Sequence, residues 1–564
     1  MKIRMRILCG LLAAFMLISL VACDAKGDMM EPTPDKAPNA EAQNPGGAQK
    51  PGGAPTEKPT QSGGNNNESI DDSIEGIPSG PLLTPEYNYG GMDNIITGMP
   101  SDTIPPYIDN PGGNQEEQGP SFVENGFIST EQEDTSTFSA DVDTASYTYF
   151  RKLVNSGYSL TELIGAGTSF RTEEFINYFK YRVNQPGDGE LFGVTSSIVD
   201  CPWNSESMLL RLTLQAENAV ESTGNNLVFL IDVSGSMNSR DKLPLLKTAF
   251  SHLVENLDEN DVISIVTYSG REAVVLDGCA GNKDEMIMQA INNLTASGST
   301  NGEAGLTEAY RIAEKHYIEG GNNRIIMASD GDLNVGISSA EQLEKYISEK
   351  RDQGVYISVL GFGTGNYRDA KMEAIADNGN GVYYYIDGES EAERVLGTDL
   401  LGTLYTVAED VKLQLTFNAD YISEYRLIGY ENRVLDNEDF EDDTKDAGEV
   451  GAGHQVTVCY EIKLREGVLI ETEGLVTLAV RYKNPGETIS RPNDYAIGGS
   501  CEEENEDTIF LTCVIETCMI LHKSEYIGER TLADVLDTLN TLDLSDYPER
   551  EEFRELIATL VEAE

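Results

Sequence analysis

Val228-Phe229-Leu230-Ile231-Asp232-Val233-Ser234-Gly235-Ser236-Met237 is a short apolar run that ends in one Asp and two serines. Farther along, Arg324-Ile325-Ile326-Met327-Ala328-Ser329-Asp330-Gly331 is a second apolar run closed by an Asp. Short unbroken apolar runs of this kind predict strands buried on both faces. Between and after them the pattern alternates with helices. Leu243, Leu246, Phe250, Leu253, Val254 and Leu257 share one helical face, and Met286, Ala290, Ile291 and Leu294 line another. Val262–Val266, Val355–Leu360 and Val382–Ile386 supply further strands. Such alternation predicts an α/β fold: a mainly parallel, Rossmann-like sheet flanked by helices. In that architecture ligands sit beyond the carboxyl ends of the strands, which is where Asp232 and Asp330 fall.

Ser297-Gly298-Ser299-Thr300 lies in a loop between the two runs. Asp232, Ser234, Ser236, Thr300 and Asp330 together make two carboxylates and three hydroxyls, the oxygen donors a hard divalent cation takes. Mg²⁺ is the expected ion, with Mn²⁺ and Ca²⁺ as alternatives. Protein groups close such a site only in part and leave a position for a carboxylate from a partner. In order and context these five residues resemble the metal-ion-dependent adhesion site of von Willebrand factor type A domains. The resemblance implies that Ser234 and Ser236 contact the ion directly. It makes Thr300 a ligand when a partner is bound, and has Asp232 and Asp330 act directly or through water.

Other readings of single motifs are weaker. Asp141-Val142-Asp143-Thr144-Ala145 approaches a phosphotransferase nucleophile motif, but Ala145 stands where Thr or Val belongs. A strand end followed by a helix capped by Thr144 or Ser146 explains it better. Asp330, Asp332, Asn334 and Glu341 mimic part of a calcium loop, yet Gly336 is one position late. Asp436–Glu449 reads as a solvated acidic loop. Ser234 as a nucleophile needs a base, and His252 and His316 fall in predicted helices with no Asp–His context. His454 reads as a turn residue.

The flanks carry a different texture. Phe192–Val199, Met208–Leu214, Val411–Phe417, Tyr425–Tyr430, Gln455–Leu464 and Leu475–Tyr482 alternate apolar and polar residues, which predicts strands. Neither flank alone has enough strands to close a core, so residues 190–215 and 410–485 are expected to form one β-sandwich. Tyr147–Leu153 and Glu173–Phe179 read as helices, and Thr508–Glu564 as a helical C-terminus. Phe138-Ser139-Ala140-Asp141-Val142-Asp143, Cys201-Pro202-Trp203-Asn204, Glu424–Arg433 and Lys445–His454 are similar to a family of bacterial lipoproteins with a central A domain. That family carries its own N-terminal segment and a C-terminal domain of unknown function. Some members are labelled calcium-activated chloride channel homologues.

The first 23 residues read as a lipoprotein signal peptide. Lys2, Arg4 and Arg6 precede an apolar stretch from Ile7 to Val21, and Leu20-Val21-Ala22-Cys23 resembles the bacterial lipobox. The resemblance implies cleavage before Cys23 and its acylation. Residues 24–120, rich in Pro, Gly, Asn and acid, cannot bury enough surface to order and are expected to form a tether. Such a chain spans roughly 50–60 Å. No later stretch reaches a spanning length; Ile509–Leu521 is short and contains Glu516. The formal charge of −56 over 564 residues repels nucleic acid and anionic headgroups. With four His and scattered Cys, zinc is not expected, and the remaining thiols are expected to be buried and free.

The expected organisation is a signal peptide (1–23), tether (24–120), N-terminal family segment (121–222), A domain (223–408) and C-terminal β domain with terminal helices (409–564). The expected function is that of a lipid-anchored, extracytoplasmic membrane protein that binds rather than catalyses. Its partner is a protein presenting an Asp or Glu carboxylate to the ion. A metal-assisted hydrolase and an accessory subunit of a membrane channel are the alternatives.

Overall fold

The computed structural model describes residues 123–165, 170–218, 223–270, 272–299, 302–331, 340–363, 369–497 and 505–564. The expected signal peptide, lipidated Cys23, tether, Cys501 and Thr300 therefore lie outside the described residues, as do Asp332 and Asn334 of the calcium-loop reading.

Six strands form the central sheet, in the spatial order Tyr383–Ile386, Tyr356–Phe362, Asn322–Ser329, Asn225–Asp232, Val262–Tyr268 and Ala273–Ala280. The first five run parallel, and the last returns antiparallel along one edge. Asn225–Asp232 lies inside this sheet and is buried at every position. Its side chains alternate between two cores, as strand geometry requires. Leu227, Phe229 and Ile231 pack with Leu246, Phe250 and Leu253 of the helix Leu243–Val254. Phe229 stacks on Phe250 at 4.3 Å. Val228 and Leu230 pack on the other side with Leu306, Ala309 and Ala313 of the helix Gly302–Lys315. The helix Asp284–Asn292 departs from expectation, because it buries Ile287 and Ile291 while Met286 is 54% exposed. An i, i+4 pair of isoleucines covers the sheet, and Met286 sits just off that stripe.

The flanking segments build two antiparallel sheets. One has the order Ile128–Ser129, Ile422–Ile428, Gln455–Leu464, Met208–Ala216, Phe192–Asp200. The other runs Val434–Leu435, Thr135–Ser139, Thr406–Phe417, Val476–Lys483, Arg491–Ile497, with Gly448–Gly451 also paired to Thr406–Phe417. They pack face to face. Phe417 stacks on Tyr425 at 4.1 Å, and Phe192 meets Tyr482 edge-on at 5.4 Å. Strands from before and after the central domain thus interleave in both sheets, as the shortage of strands in each flank predicted. The fold class is α/β with added antiparallel sheets. The acidic loop after Asp436 is tied down rather than freely solvated. Lys412 Nζ donates to the carbonyls of Asp439 and Asp442 at 3.0 and 2.5 Å, and Lys483 Nζ to that of Asp443 at 2.8 Å.

One turn staples both crossings between the sandwich and the central domain. Gly453 N–H donates to Glu217 O at 3.1 Å on the way in, and Ala452 N–H donates to Tyr405 O at 2.9 Å on the way out. The buried Arg324 reinforces the exit, reaching Leu404 O at 3.1 Å and Thr406 Oγ1 at 3.0 Å. His454 belongs to this turn, where Nδ1 accepts the Gly451 N–H at 3.3 Å. Burial, then the Lys180 charge, pushes its pKa down to about 3.

A helical layer covers the outer face of the first sheet. Glu506–His522, Leu532–Leu539 and Pro548–Ala563 join Ala145–Asn155 and Thr172–Tyr178 around an aromatic core of Tyr147, Phe150, Phe175, Phe510 and Phe553. Glu516 is buried there and paired with Arg530 at 2.6 Å. No helix among the described residues is long and apolar enough to cross a membrane. Cys201, Cys459, Cys513 and Cys518 are buried free thiols.

Asp141-Val142-Asp143-Thr144 is a buried clasp between segments. Asp143 Oδ1 accepts the Tyr383 N–H of the central sheet at 2.9 Å, and Asp141 Oδ2 pairs with Arg433 at 3.3 Å. Arg433 also binds Glu373 at 3.1 Å and Asp377 at 3.0 Å, on the helix Asp369–Asn378. Thr144 makes no side-chain cap for Ala145–Asn155. Instead, the Ser146 N–H donates to Glu174 Oε2 at 2.6 Å. A carboxylate from a separate helix takes the capping role, because it complements the same unpaired amides.

Candidate metal centre

Asp232 closes the central strand and turns the chain upward out of the sheet. Its Oδ1 accepts the Ser234 N–H at 2.7 Å, a local bond that Asp makes two residues ahead and that shapes the loop. Ser234 leads into the short 3-10 turn Gly235–Asn238, which brings Ser236 back beside it. The two hydroxyl oxygens are 2.9 Å apart. The neighbouring loop is docked by backbone bonds: Ser297 N–H donates to Val233 O at 2.7 Å, and Gly235 N–H to Gly298 O at 3.0 Å. Gly298 has φ +86°, and a Cβ there would meet Ser269 Oγ at 2.8 Å, so glycine is required. This loop leads into the undescribed Thr300.

Asp330 follows the adjacent parallel strand, one residue past Ser329. Its Oδ2 accepts from Lys242 Nζ at 2.8 Å. Asp232, Ser234 and Asp330 are 0%, 2% and 3% exposed, whereas Ser236 is exposed. The Tyr268 phenol lies beneath, and burial first, then the Asp232 charge, pushes its pKa well above the ordinary tyrosine range.

Four of the five expected residues thus fall on one end of the sheet, on adjacent strands and their following loops. The donor chemistry fits a small hard cation. Two adjacent ligands at 2.0–2.1 Å from an octahedral ion stand about 2.9 Å apart, the spacing of Ser234 Oγ and Ser236 Oγ. A positive charge, the Lys242 ammonium, already sits against Asp330. Among the described residues, no group of three or more His, Cys, Asp or Glu is arranged for a metal, so any ion here depends on the hydroxyls. Sequence reading missed Lys242. Its position before a helix gave no sign of a contact 88 positions away. The His316 reading also changes, since Nε2 stands 2.7 Å from Asp277 Oδ1, an Asp–His pair on an exposed edge.

Comparison with known proteins fits this geometry. Three family models match in sequence: von Willebrand factor over residues 114–211, von Willebrand factor type A domain over 226–397, and the C-terminal region of the uncharacterized protein YfbK over 402–562. YfbK of Escherichia coli strain K12 is 39% identical over 447 residues, which cover 75% of this chain and 76% of that one. The chain belongs to the YfbK family. As a bacterial YfbK-family member with a central von Willebrand A domain, it shares a more distant likeness with human inter-alpha-trypsin inhibitor heavy chain H3. That likeness is 27% identity over 257 residues, 43% of this chain and 29% of the human one. A solved von Willebrand factor type A protein from Catenulispora acidiphila covers 65% of this chain and 89% of its own, at 17% identity and TM-score 0.38.

Proposed function

We propose that this YfbK-family protein is a lipid-anchored, extracytoplasmic binding protein. Its A domain holds a divalent cation and uses it to engage an acidic side chain of a protein partner. The observation that carries this reading is the Ser234–Ser236 hydroxyl pair at 2.9 Å beside Asp232 and Asp330, at the carboxyl end of a parallel sheet. Von Willebrand A domains often bind a divalent cation and mediate protein–protein interactions, which supports the same reading.

Ser234, Ser236, Asp232 and Asp330, with Thr300, would hold the ion, with Mg²⁺ preferred and Mn²⁺ or Ca²⁺ as alternatives. When bound, the ion supplies a positive centre toward a carboxylate. The chain's own residues fix the donors. Asp232 shapes the serine loop through the Ser234 N–H, and the Gly235–Gly298 bond ties that loop to its neighbour. Ser236 is the exposed donor, so a partner's approach passes over it. Cys23 carries the lipid, and residues 24–120 tether the folded part to the membrane. The module boundaries are proposed at 121–222, 223–408 and 409–564.

The test is calorimetric titration of Mg²⁺, Mn²⁺ and Ca²⁺ into the purified chain, beside Ser236→Ala. Saturable binding that the variant loses supports the reading and justifies metal-dependent capture of partners with acidic peptides as competitors. Equal heats in both would sink it. For the anchor, Cys23→Ala is expected to move the protein from the membrane fraction to the soluble fraction; unchanged fractionation removes that part.

A further inference from the structure

Lys242 stands immediately before the helix Leu243–Val254, with φ −124° and ψ −112°, neither helical nor extended. Its ammonium reaches Asp330 at 2.8 Å. The lysine side chain is 12% exposed and the Asp330 carboxylate is fully enclosed. The lysine stem lies along the backbone at Gly363, just past the strand Tyr356–Phe362. A Cβ at position 363 would meet Lys242 Cε at 2.2 Å and Cγ at 2.9 Å. Gly363 has φ +76°, and its carbonyl accepts from Tyr385 Oη at 3.0 Å. The backbone thus leaves a slot with room for this stem, and the slot delivers the charge to one carboxylate of the candidate metal centre.

We infer that Lys242 is the centre's resident counter-ion, competing with the divalent cation for Asp330 and so setting metal affinity. The inference rests on the reading of the site as a cation site. An incoming ion must displace the ammonium from Asp330 or accept a like charge beside it. In a partly buried setting that repulsion is large at such distances. By linkage, whatever Lys242 takes from metal affinity appears as added stability of the metal-free chain. The centre is therefore a weak one that fills only where divalent ions are abundant.

The experiment compares the full chain with Lys242→Met, which keeps an apolar stem of similar length, with Lys242→Gln as a second neutral variant, and with Asp330→Asn. Mg²⁺ affinity is measured by calorimetry, and melting temperature in EDTA and in saturating Mg²⁺. Both Lys242 variants are expected to bind Mg²⁺ at least tenfold tighter than wild type. They should melt lower in EDTA, with the gap narrowing or reversing in Mg²⁺. Unchanged or weaker affinity, or a melting gap indifferent to Mg²⁺, overturns the role of Lys242. If Asp330→Asn loses binding while Lys242→Met merely matches wild type, the cation site stands and the competitor falls. Absence of binding in wild type and in both Lys242 variants removes the cation site itself, and the inference with it.

Discussion

Ser236 and Asp232 differ by four positions and by everything that surrounds them. Ser236 is exposed and its hydroxyl touches Ser234, so Ser236→Ala removes a donor without leaving a hole. We expect it to change unfolding free energy by less than about 0.5 kcal/mol while abolishing saturable Mg²⁺ binding. Urea titration and calorimetry on the same preparation check both halves. Asp232 is fully buried and holds the Ser234 N–H. Asp232→Ala strips a buried amide of its acceptor and should cost roughly 1–3 kcal/mol besides metal binding. A variant at 232 that fails to bind metal is therefore ambiguous in a way that one at 236 is not.

Among the connecting elements, the clasp around Arg433 joins separate stretches of chain. One guanidinium serves Asp141 of the N-terminal segment and Glu373 and Asp377 of an A-domain helix. Arg433→Met leaves those carboxylates without that counter-charge and is expected to destabilise by roughly 3–5 kcal/mol. Differential scanning calorimetry should show one transition for wild type and a broadened or split one for the variant, as its A domain melts apart from the sandwich. A sharp transition at unchanged temperature would mean that the remaining contacts, the Asp143–Tyr383 bond among them, suffice to join them. Elements of this kind mark where sequence reading stopped. The runs Val228–Asp232 and Ile325–Met327 announce buried strands, because a strand covered on both faces must be apolar throughout. Asp232 and Asp330 followed from the rule for strand ends. By contrast, the Glu174 cap on Ser146, the Arg433 clasp and the Lys242 contact each depend on a side chain reaching a residue distant in sequence. Periodicity is blind to such pairings. Asp141-Val142-Asp143 only approaches a phosphotransferase motif, and burial makes its carboxylates structural partners.

For the molecule as a whole, interleaving dictates which fragments can fold. Residues 409–564 alone retain only Ile422–Ile428 and Gln455–Leu464 in the first sheet, since the strands that extend it come from before the A domain. A two-stranded remnant is not stable in water. That fragment, left with two strands to cover its second sheet, should show a weakened sheet signal by circular dichroism when expressed alone and gain signal when co-expressed with residues 121–222; a full, cooperatively melting sheet signal from the fragment alone would contradict the shared sandwich. Proton linkage gives a second global handle. Burial, then the Glu431 charge, lifts the pKa of Glu173 to about 8, and burial lifts Glu431 itself to about 7. Both carboxyls are ionised in the unfolded chain above pH 4.5 but keep protons in the folded one, so stability falls as pH rises through 7 to 8. Between pH 7.5 and 9, where His454 is neutral in both states, we expect a loss of about 1 kcal/mol. Glu173→Gln, which preserves an acceptor for the Tyr430 N–H, should flatten that slope in urea titrations.

The turn that binds Glu217 and Tyr405 through the neighbouring residues Gly453 and Ala452 places the two severed ends of the sandwich side by side. The chain thus enters and leaves the A domain through a single doorway. A host from which residues between those two points were cut out, its ends rejoined by a handful of glycines, would keep every strand neighbour it has now. The same doorway would accept another guest whose termini emerge together. What this shell presents to the outside is decided by its lodger.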